Sequence, residues 1–277
     1  MKRKEEIITS RANPLVKWAS SLAEKKGRAE HRHFIAEGEK LTREALEAGL
    51  PVTHVFLEES KAEKNISVLE PLLASEKYRD TEIVVLSESA FSKISTEKAP
   101  QGVICAIKYL DFFNIIDIIY NEAFFADKSE RALALYSVRD PGNLGAVIRS
   151  AVAFGVDHII LSADSADVYN PKTVRSAMGS LYRTKITVVE DFSSFIRAAQ
   201  SAGRRVFAAE LTDSARSLDD IGLVSDDIVI IGNEGHGIAP EISAICDGSV
   251  YIPISKKTES LNASVAAAVF MWEQGKK

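Results

Sequence analysis

An α/β fold in two domains, the second built on a mostly parallel sheet, is predicted by three observations. From residue 132 onward six strand-like runs alternate with helical ones. A shorter alternation of the same kind occupies residues 35 to 110. The chain's 277 residues also exceed the roughly 100 to 200 that one core usually serves.

In the N-terminal half the strand candidates are THVFL, EIVVL and GVICAI, and GEKLTREALEAG and ISVLEPLLASEKY, which alternate with them, read as helices. The pattern breaks at DFFNIIDIIYNEAFFADKSER, which is apolar and aromatic without a strand period and reads as a connecting helix or packed linker. The expected division is therefore 1–110, a linker over 111–131, and a second domain over 132–277. The second domain's strand candidates are ALALYSV, HIILS, TKITVV, RRVFAAEL, DIVIIG and SVYIPI. In an open parallel sheet ligands sit at the carboxyl ends of strands, so chemistry is expected just after these runs.

Composition removes several function classes. Apolar content of 46% and charged content of 26% are ordinary, and no apolar run approaches the ~20 residues of a membrane helix. MKRKEEIITS has no apolar stretch behind its basic residues, so a cytoplasmic protein is the default. Cys105 and Cys246 are far apart and read as small buried hydrophobes. The five histidines and two cysteines form no close ligand cluster, and no metal is expected. The net charge of −5 conceals an asymmetry: residues 1 to 33 hold nine lysines and arginines against four acids. Such a segment is either a solvated helix face or a phosphate-contacting surface.

Three strand-end motifs carry the chemistry. The first is PGNLGAVIRS, in which Leu144, Val147, Ile148 and Ala151 form an apolar helix face with Arg149 on its flank. Asn143 is either an N-cap or a site residue, and Arg149 either a salt-bridged surface arginine or a site residue. In the second, DIVIIGNEGHGI, a continuous apolar strand runs into three glycines within six residues. Neither the dinucleotide fingerprint nor the phosphate loop is present there, and the stretch alone is also consistent with a plain strand-to-helix turn. The third is VYIPISKKTESLNASVAAAVFMWEQ. Leu261, Val265, Ala268, Val269 and Trp272 are read as its apolar face, small residues suit close packing, and Ser260 and Asn262 at its start are candidate caps.

In this order the motifs resemble those of the SpoU (TrmH-like) RNA ribose 2′-O-methyltransferases of the SPOUT superfamily. The resemblance rests on Asn143-Leu-Gly-Ala-Val-Ile-Arg149, Gly232-Asn-Glu234-Gly, and Ile252-Pro253 followed by Ser260-Leu-Asn262-Ala-Ser-Val-Ala-Ala-Ala. The stretch ITSRANPLVKWASSLAEKKGRAEHRHFIAEGEKLTREAL also resembles the substrate-binding extension of the ribosomal-RNA branch, which has an L30e-like α/β fold. The resemblance implies a C-terminal trefoil knot, a homodimer whose facing subunit helps complete the site, and S-adenosylmethionine as cofactor. Carried over by position, it makes Asn143, Arg149, Glu234, Ser260 and Asn262 the catalytic set and places Gly232, Ile252 and Leu261 at the cofactor. The chain departs from the family's Ile-Pro-Met-x-Gly at Ile254 and Lys256.

The implied reaction moves a methyl group to a ribose 2′-hydroxyl, most directly in ribosomal RNA. Arginine's pKa above about 12 suits Arg149 to clamping phosphate or stabilising a developing oxyanion better than to taking the proton. A transfer-RNA substrate, a non-catalytic RNA-binding protein of the same fold, and a nucleotide-binding oxidoreductase without its glycine fingerprint are the alternatives.

Overall fold

The computed structural model describes residues 2–3, 6–110 and 127–276. Most of the expected linker, residues 111–126, lies outside them. The chain forms two compact units. One takes in the residues up to Leu110 together with Asp167–Tyr182, and the other takes in the remainder.

The first unit runs β1 (Lys2–Arg3), α1 (Pro14–Ser21), α2 (Lys25–His31), β2 (His33–Glu37), α3 (Glu39–Glu47), β3 (Val52–Glu58), α4 (Ala62–Leu73), β4 (Glu82–Leu86), α5 (Glu88–Ile94) and β5 (Val103–Lys108). Its five-stranded mixed sheet has the order β1-β4-β3-β5-β2. The three strands expected here are found, with β1 and β2 in addition. Period-2 alternation sends Ile35, Phe56, Val84, Ile104 and Ala106 to one face, where Val16, Ala19 and Leu22 at the start of the chain and Ala90, Phe91 and Ile94 of α5 close a core. Asn13 caps α1 by accepting from the Leu15 amide at 2.9 Å, and Pro14 stands at the first helical position.

A later piece of chain completes this unit. Arg28, 1% exposed, donates to the Leu22 and Ala23 carbonyls and grips Asp167 Oδ2 through Nε at 3.1 Å and Nη2 at 2.5 Å. Tyr169 stacks on Phe34 and Tyr109, and its hydroxyl accepts from the Leu110 amide at 2.8 Å. Asn170 caps the short helix α7 (Pro171–Ala177).

The second unit contains β6 (Ala132–Leu135), α6 (Pro141–Phe154), β7 (His158–Ser162), β8 (Lys185–Val189), α8 (Phe192–Ser201), β9 (Val206–Ala209), β10 (Arg216–Ser217), α9 (Leu218–Ile221), β11 (Ile228–Ile231), α10 (Pro240–Ser243), β12 (Gly248–Tyr251) and α11 (Ala263–Gln274). All six expected strands are present, joined by the two-residue β10. They form one seven-stranded sheet in the order β10-β12-β9-β11-β6-β7-β8, and its pairings are parallel.

Both faces of this sheet are covered, which is why its strands are continuous apolar runs. Ala132, Ala134, Ile228 and Ile230 meet Phe192, Phe195, Ile196 and Ala199 in one core cluster. The alternate residues Leu133, Leu135, Val229 and Ile231 point to the opposite face, where α6 and α11 pack against each other. Gln274, fully buried, ties the end of α11 to the Asp227 carbonyl at 2.8 Å.

Two local expectations are corrected. Asp140, not Asn143, caps α6: its carboxylate accepts from the Asn143 amide at 2.9 Å, so Pro141 opens the helix and Asn143 is its third residue. On α11 the buried residues are Ala263, Ala267, Phe270, Met271 and Gln274, whereas Val265 and Trp272 of the expected apolar face are 47% and 56% exposed.

Candidate active site

Strands β6 and β11 are parallel neighbours in register, Leu135 beside Ile231, so the segments leaving their carboxyl ends emerge side by side. One leads to the first turn of α6 and the other is the Gly232-to-Gly237 loop. With its backbone amide held by Asp140, Asn143 has its side chain free for this space.

The Asn143 amide is used at both ends. Its Nδ2 donates to Glu234 Oε1 at 2.6 Å, and its Oδ1 accepts from Asn262 Nδ2 at 3.0 Å. Asn262 is also the N-cap of α11, where Oδ1 accepts from the Ser264 amide at 2.9 Å and the Ser264 hydroxyl at 2.6 Å. Each of the three motifs thus contributes one member to a continuous hydrogen-bonded row. Glu234 Oε2 and the Ser260 hydroxyl have no partner among the described residues.

Arg149 stands apart. It lies six residues beyond Asn143, about 9 Å along the axis, and is exposed with no hydrogen-bond or ion-pair partner among the described residues. Among the described residues no salt bridge holds it, and the arginine is not drawn into the Asn143 row.

A cavity of about 350 Å³ opens beside the row, lined in part by Gly232, Glu234, Ile252, Ile254, Ser260 and Leu261. All three residues expected at the cofactor line it. Gly232 is obligatory: a Cβ there would come within 2.6 Å of the Gly237 carbonyl carbon. The close approach arises because Asn233 and Gly237 exchange both backbone hydrogen bonds at 3.0 Å, with Gly237 at φ +67°. Ile254 borders the cavity, and Lys256 sits in an exposed turn.

Two residues not singled out from the sequence complete the frame. Asn233 accepts from the Gly235 and His236 amides at 2.9 and 3.0 Å and donates to the Ser137 carbonyl at 2.7 Å, binding the loop after β11 to the segment after β6. Its signal was an asparagine inside a glycine-rich turn, where the side chain caps backbone amides. Glu210, after β9, borders the cavity and accepts from the Ser243 and Ser249 hydroxyls. Asp164 lies beyond the Ser137 end. Burial pushes its carboxyl up, but hydrogen bonds from Ser137, Ser162 and Arg139 outweigh this and hold it below the usual range.

The arrangement offers a concave, partly backbone-lined pocket next to an aligned amide–carboxylate row. Among the described residues no group of three or more His, Cys, Asp or Glu is placed to hold a metal ion, and no helix is long and apolar enough to cross a membrane.

Residues 13–105 match the MRM3-like substrate binding domain. The chain is 30% identical over 265 residues, 96% of its length and 97% of the relative's, to the Bacillus subtilis 23S rRNA (guanosine(2553)-2′-O)-methyltransferase RlmP. It is 27% identical to the Coxiella burnetii 23S rRNA (guanosine-2′-O-)-methyltransferase RlmB, over 80% of this chain and 86% of the other. Among solved structures, the AdoMet-bound rRNA methyltransferase from Sinorhizobium meliloti superposes with a TM-score of 0.79 at 28% identity, covering 97% of each chain. Residues 130–272 match the SpoU rRNA Methylase family, and with these relatives the chain belongs to that family.

Proposed function

We propose that this protein is an S-adenosylmethionine-dependent methyltransferase acting on a ribose 2′-hydroxyl of ribosomal RNA, in the cytoplasm and as a homodimer. The observation that carries the reading is the Asn262–Asn143–Glu234 row, which joins all three strand-end motifs at the mouth of one cavity.

The cavity fits the cofactor in kind: a crevice at strand ends, floored at Gly232 by backbone that tolerates no Cβ, with Ile252 and Leu261 as apolar lining. When bound there, S-adenosylmethionine supplies a methyl group on an electrophilic sulfonium. The chain's own residues must orient the ribose and help its hydroxyl proton leave. Glu234 is fixed through Oε1 by Asn143, which leaves Oε2 to accept from the incoming hydroxyl. Asn262 sets the Asn143 amide, and Ser260 offers a hydroxyl at the same rim.

Arg149 carries a permanent charge on the flank of α6 and is assigned to RNA, as a clamp on phosphate or on the oxygen as negative charge develops. It stands outside the cavity lining of its own chain, which agrees with a site that a facing subunit completes. The exposed Val265 and Trp272 on α11 support that pairing. The family's trefoil knot belongs to this proposal, supported by the return of the chain from β12 to pack α11 against α6. The first unit, matched to a substrate-binding domain, is assigned to RNA and comprises 1–110 with the Asp167–Tyr182 segment.

The test uses methyl-labelled S-adenosylmethionine and unmodified ribosomal RNA, followed by alkaline digestion. A methylated 2′-hydroxyl cannot assist cleavage, so label is expected in alkali-resistant dinucleotides. Arg149→Ala is expected to lower the rate ~10²- to 10³-fold, the usual cost of removing one stabilising donor. Label in mononucleotides moves the chemistry to a base. Near-normal transfer by Arg149→Lys rules out a role for the planar guanidinium fork.

A further inference from the structure

Three of the chain's five histidines gather around one of its two tryptophans, at a place the methyl-transfer site does not use. Trp18 of α1 lies 4.8 Å from His54, 5.4 Å from His33 and 6.3 Å from His31, measured between ring centroids. His54 stacks in turn on Phe56, with planes 3° apart. The sheet register explains the convergence. His33 and His54 continue the face of β2 and β3 whose inner residues, Ile35 and Phe56, are covered by α1 and α5. The rings therefore lie where that core meets solvent. Phe56 is buried, whereas Trp18, His31, His33 and His54 are all half-buried.

A packing role alone would favour aliphatic side chains, which fill a core margin without ring nitrogens to satisfy. A metal site is also disfavoured, since no described group of His, Cys, Asp or Glu is arranged to hold an ion. The surroundings are cationic. Lys108 is exposed and directly opposite His33 in the β2–β5 register, on the same face. Arg32, between His31 and His33, is exposed but turns to the other face of β2, where its guanidinium lies 4.8 Å from the centre of the Tyr109 ring in the stack with Tyr169 and Phe34. Lys17 is exposed beside Trp18 on α1. Glu82, in register with His54, is an acid on that face, as is Glu37 further along β2. Aromatic faces interleaved with phosphate-binding cations suit unpaired nucleotides, whose bases stack on any ring regardless of sequence.

We infer that Trp18, with His31, His33 and His54, forms a stacking platform for an unpaired base of RNA, and that Lys108 holds an adjoining phosphate. The inference rests on the assignment of the first unit to RNA and adds to it the class of RNA element recognised: a single-stranded loop, bulge or end.

The test uses the full chain carrying Trp272→Phe, so that Trp18 is its one indole, and a twelve-nucleotide unstructured RNA. Expected are quenching of Trp18 fluorescence on titration and a 5- to 150-fold weaker Kd in Trp18→Ala, about the ~1–3 kcal/mol of one stacked base. A duplex of the same length should quench little, because its base faces are already paired. Lys108→Ala, at an exposed position, is expected to lower the slope of log K against log salt by about 1. Equal quenching by duplex, or a folded Trp18→Ala protein that binds the single strand within about twofold of its parent, overturns the platform. If Trp18→Ala does not fold, a Lys108→Ala protein with parental affinity and salt slope overturns it instead. The methyl-transfer reading is judged separately, on the chain that keeps both tryptophans: labelled ribosomal RNA with a silent Trp18 removes the platform alone, and a quenched Trp18 without methyl transfer leaves the platform standing.

Discussion

At the scale of single residues the Asn143 amide is the most constrained group in the candidate site, because both its ends are committed across the fold. Its partners lie 91 and 119 residues further along the chain. Replacing it with alanine leaves Glu234 without its donor and Asn262 without its acceptor, so the members of the row act as a unit. In a double-mutant cycle, Asn143→Ala and Glu234→Gln together should cost less than the sum of the single losses, with a coupling of ~0.5–3 kcal/mol from kcat/KM. Asn143→Asp should be slower than Asn143→Ala, since it sets a second carboxylate where 2.6 Å now separates donor and acceptor. Additive single losses, or an aspartate as active as alanine, would show that the row does not act together. The sequence displayed these residues as motif members, and Asn143 and Asn262 also looked like helix caps. Only Asn262 is one. Asp140 takes the other cap because Pro141, with no amide hydrogen to offer, is best placed at the first helical position, which moves the cap one residue upstream of it.

At the scale of elements, strands were more legible than helix faces. The second unit's strands are buried on both sides and stand out as apolar runs between polar turns, whereas β2 was missed because HFIAE is short and becomes a strand through antiparallel pairing with β5. Helix α11 shows the opposite difficulty. ASVAAAVFMWEQ is apolar nearly all round, so no hydrophobic stripe distinguishes an inner from an outer face. The structure turns Ala267, Phe270 and Met271 inward and leaves Val265 and Trp272 outside, while the one strongly polar buried residue, Gln274, donates through Nε2 to the Asp227 carbonyl. Large apolar side chains are left exposed on an otherwise core-like helix when another surface covers them. Trp272→Glu should therefore convert the proposed homodimer to monomers in sedimentation velocity at micromolar concentration, with the far-ultraviolet circular dichroism kept. Unchanged sedimentation would move the pairing surface elsewhere.

For the whole molecule, the least legible feature was that compact units do not follow sequence order. Residues 130–272 match one family, yet Asp167–Tyr182 belongs with the first unit, held by the Arg28–Asp167 pair and the Tyr169 stack. Neither Asp167 nor Tyr169 is part of a motif, and an ion pair joining a buried arginine to a position 139 residues away has no local signature. Buried ionisable groups also set how the folded chain responds to acid. His158 opens β7 with Nε2 2.9 Å from the Thr187 hydroxyl of β8, and burial, then Lys185 and Arg204, push its pKa down to about 4. An unfolded histidine titrates near 6.5. Between those values the unfolded chain binds a proton that the folded chain refuses, so stability is full above pH 6.5 and declines as pH falls toward 4. His33, lowered chiefly by burial, acts in the same direction in the other unit. Asp127, Asp164 and Asp191 are held below the normal range of carboxylates, so their stabilising effect is lost at lower pH still. At about 1.4 kcal/mol per unit of pH, His158 alone should remove ~2 kcal/mol between pH 6.5 and 5. Urea unfolding followed across that interval should show a steeper decline in the parent than in His158→Gln, which has no proton to gain. Equal slopes would mean that the imidazole is charged in the folded protein and that its burial costs nothing in acid.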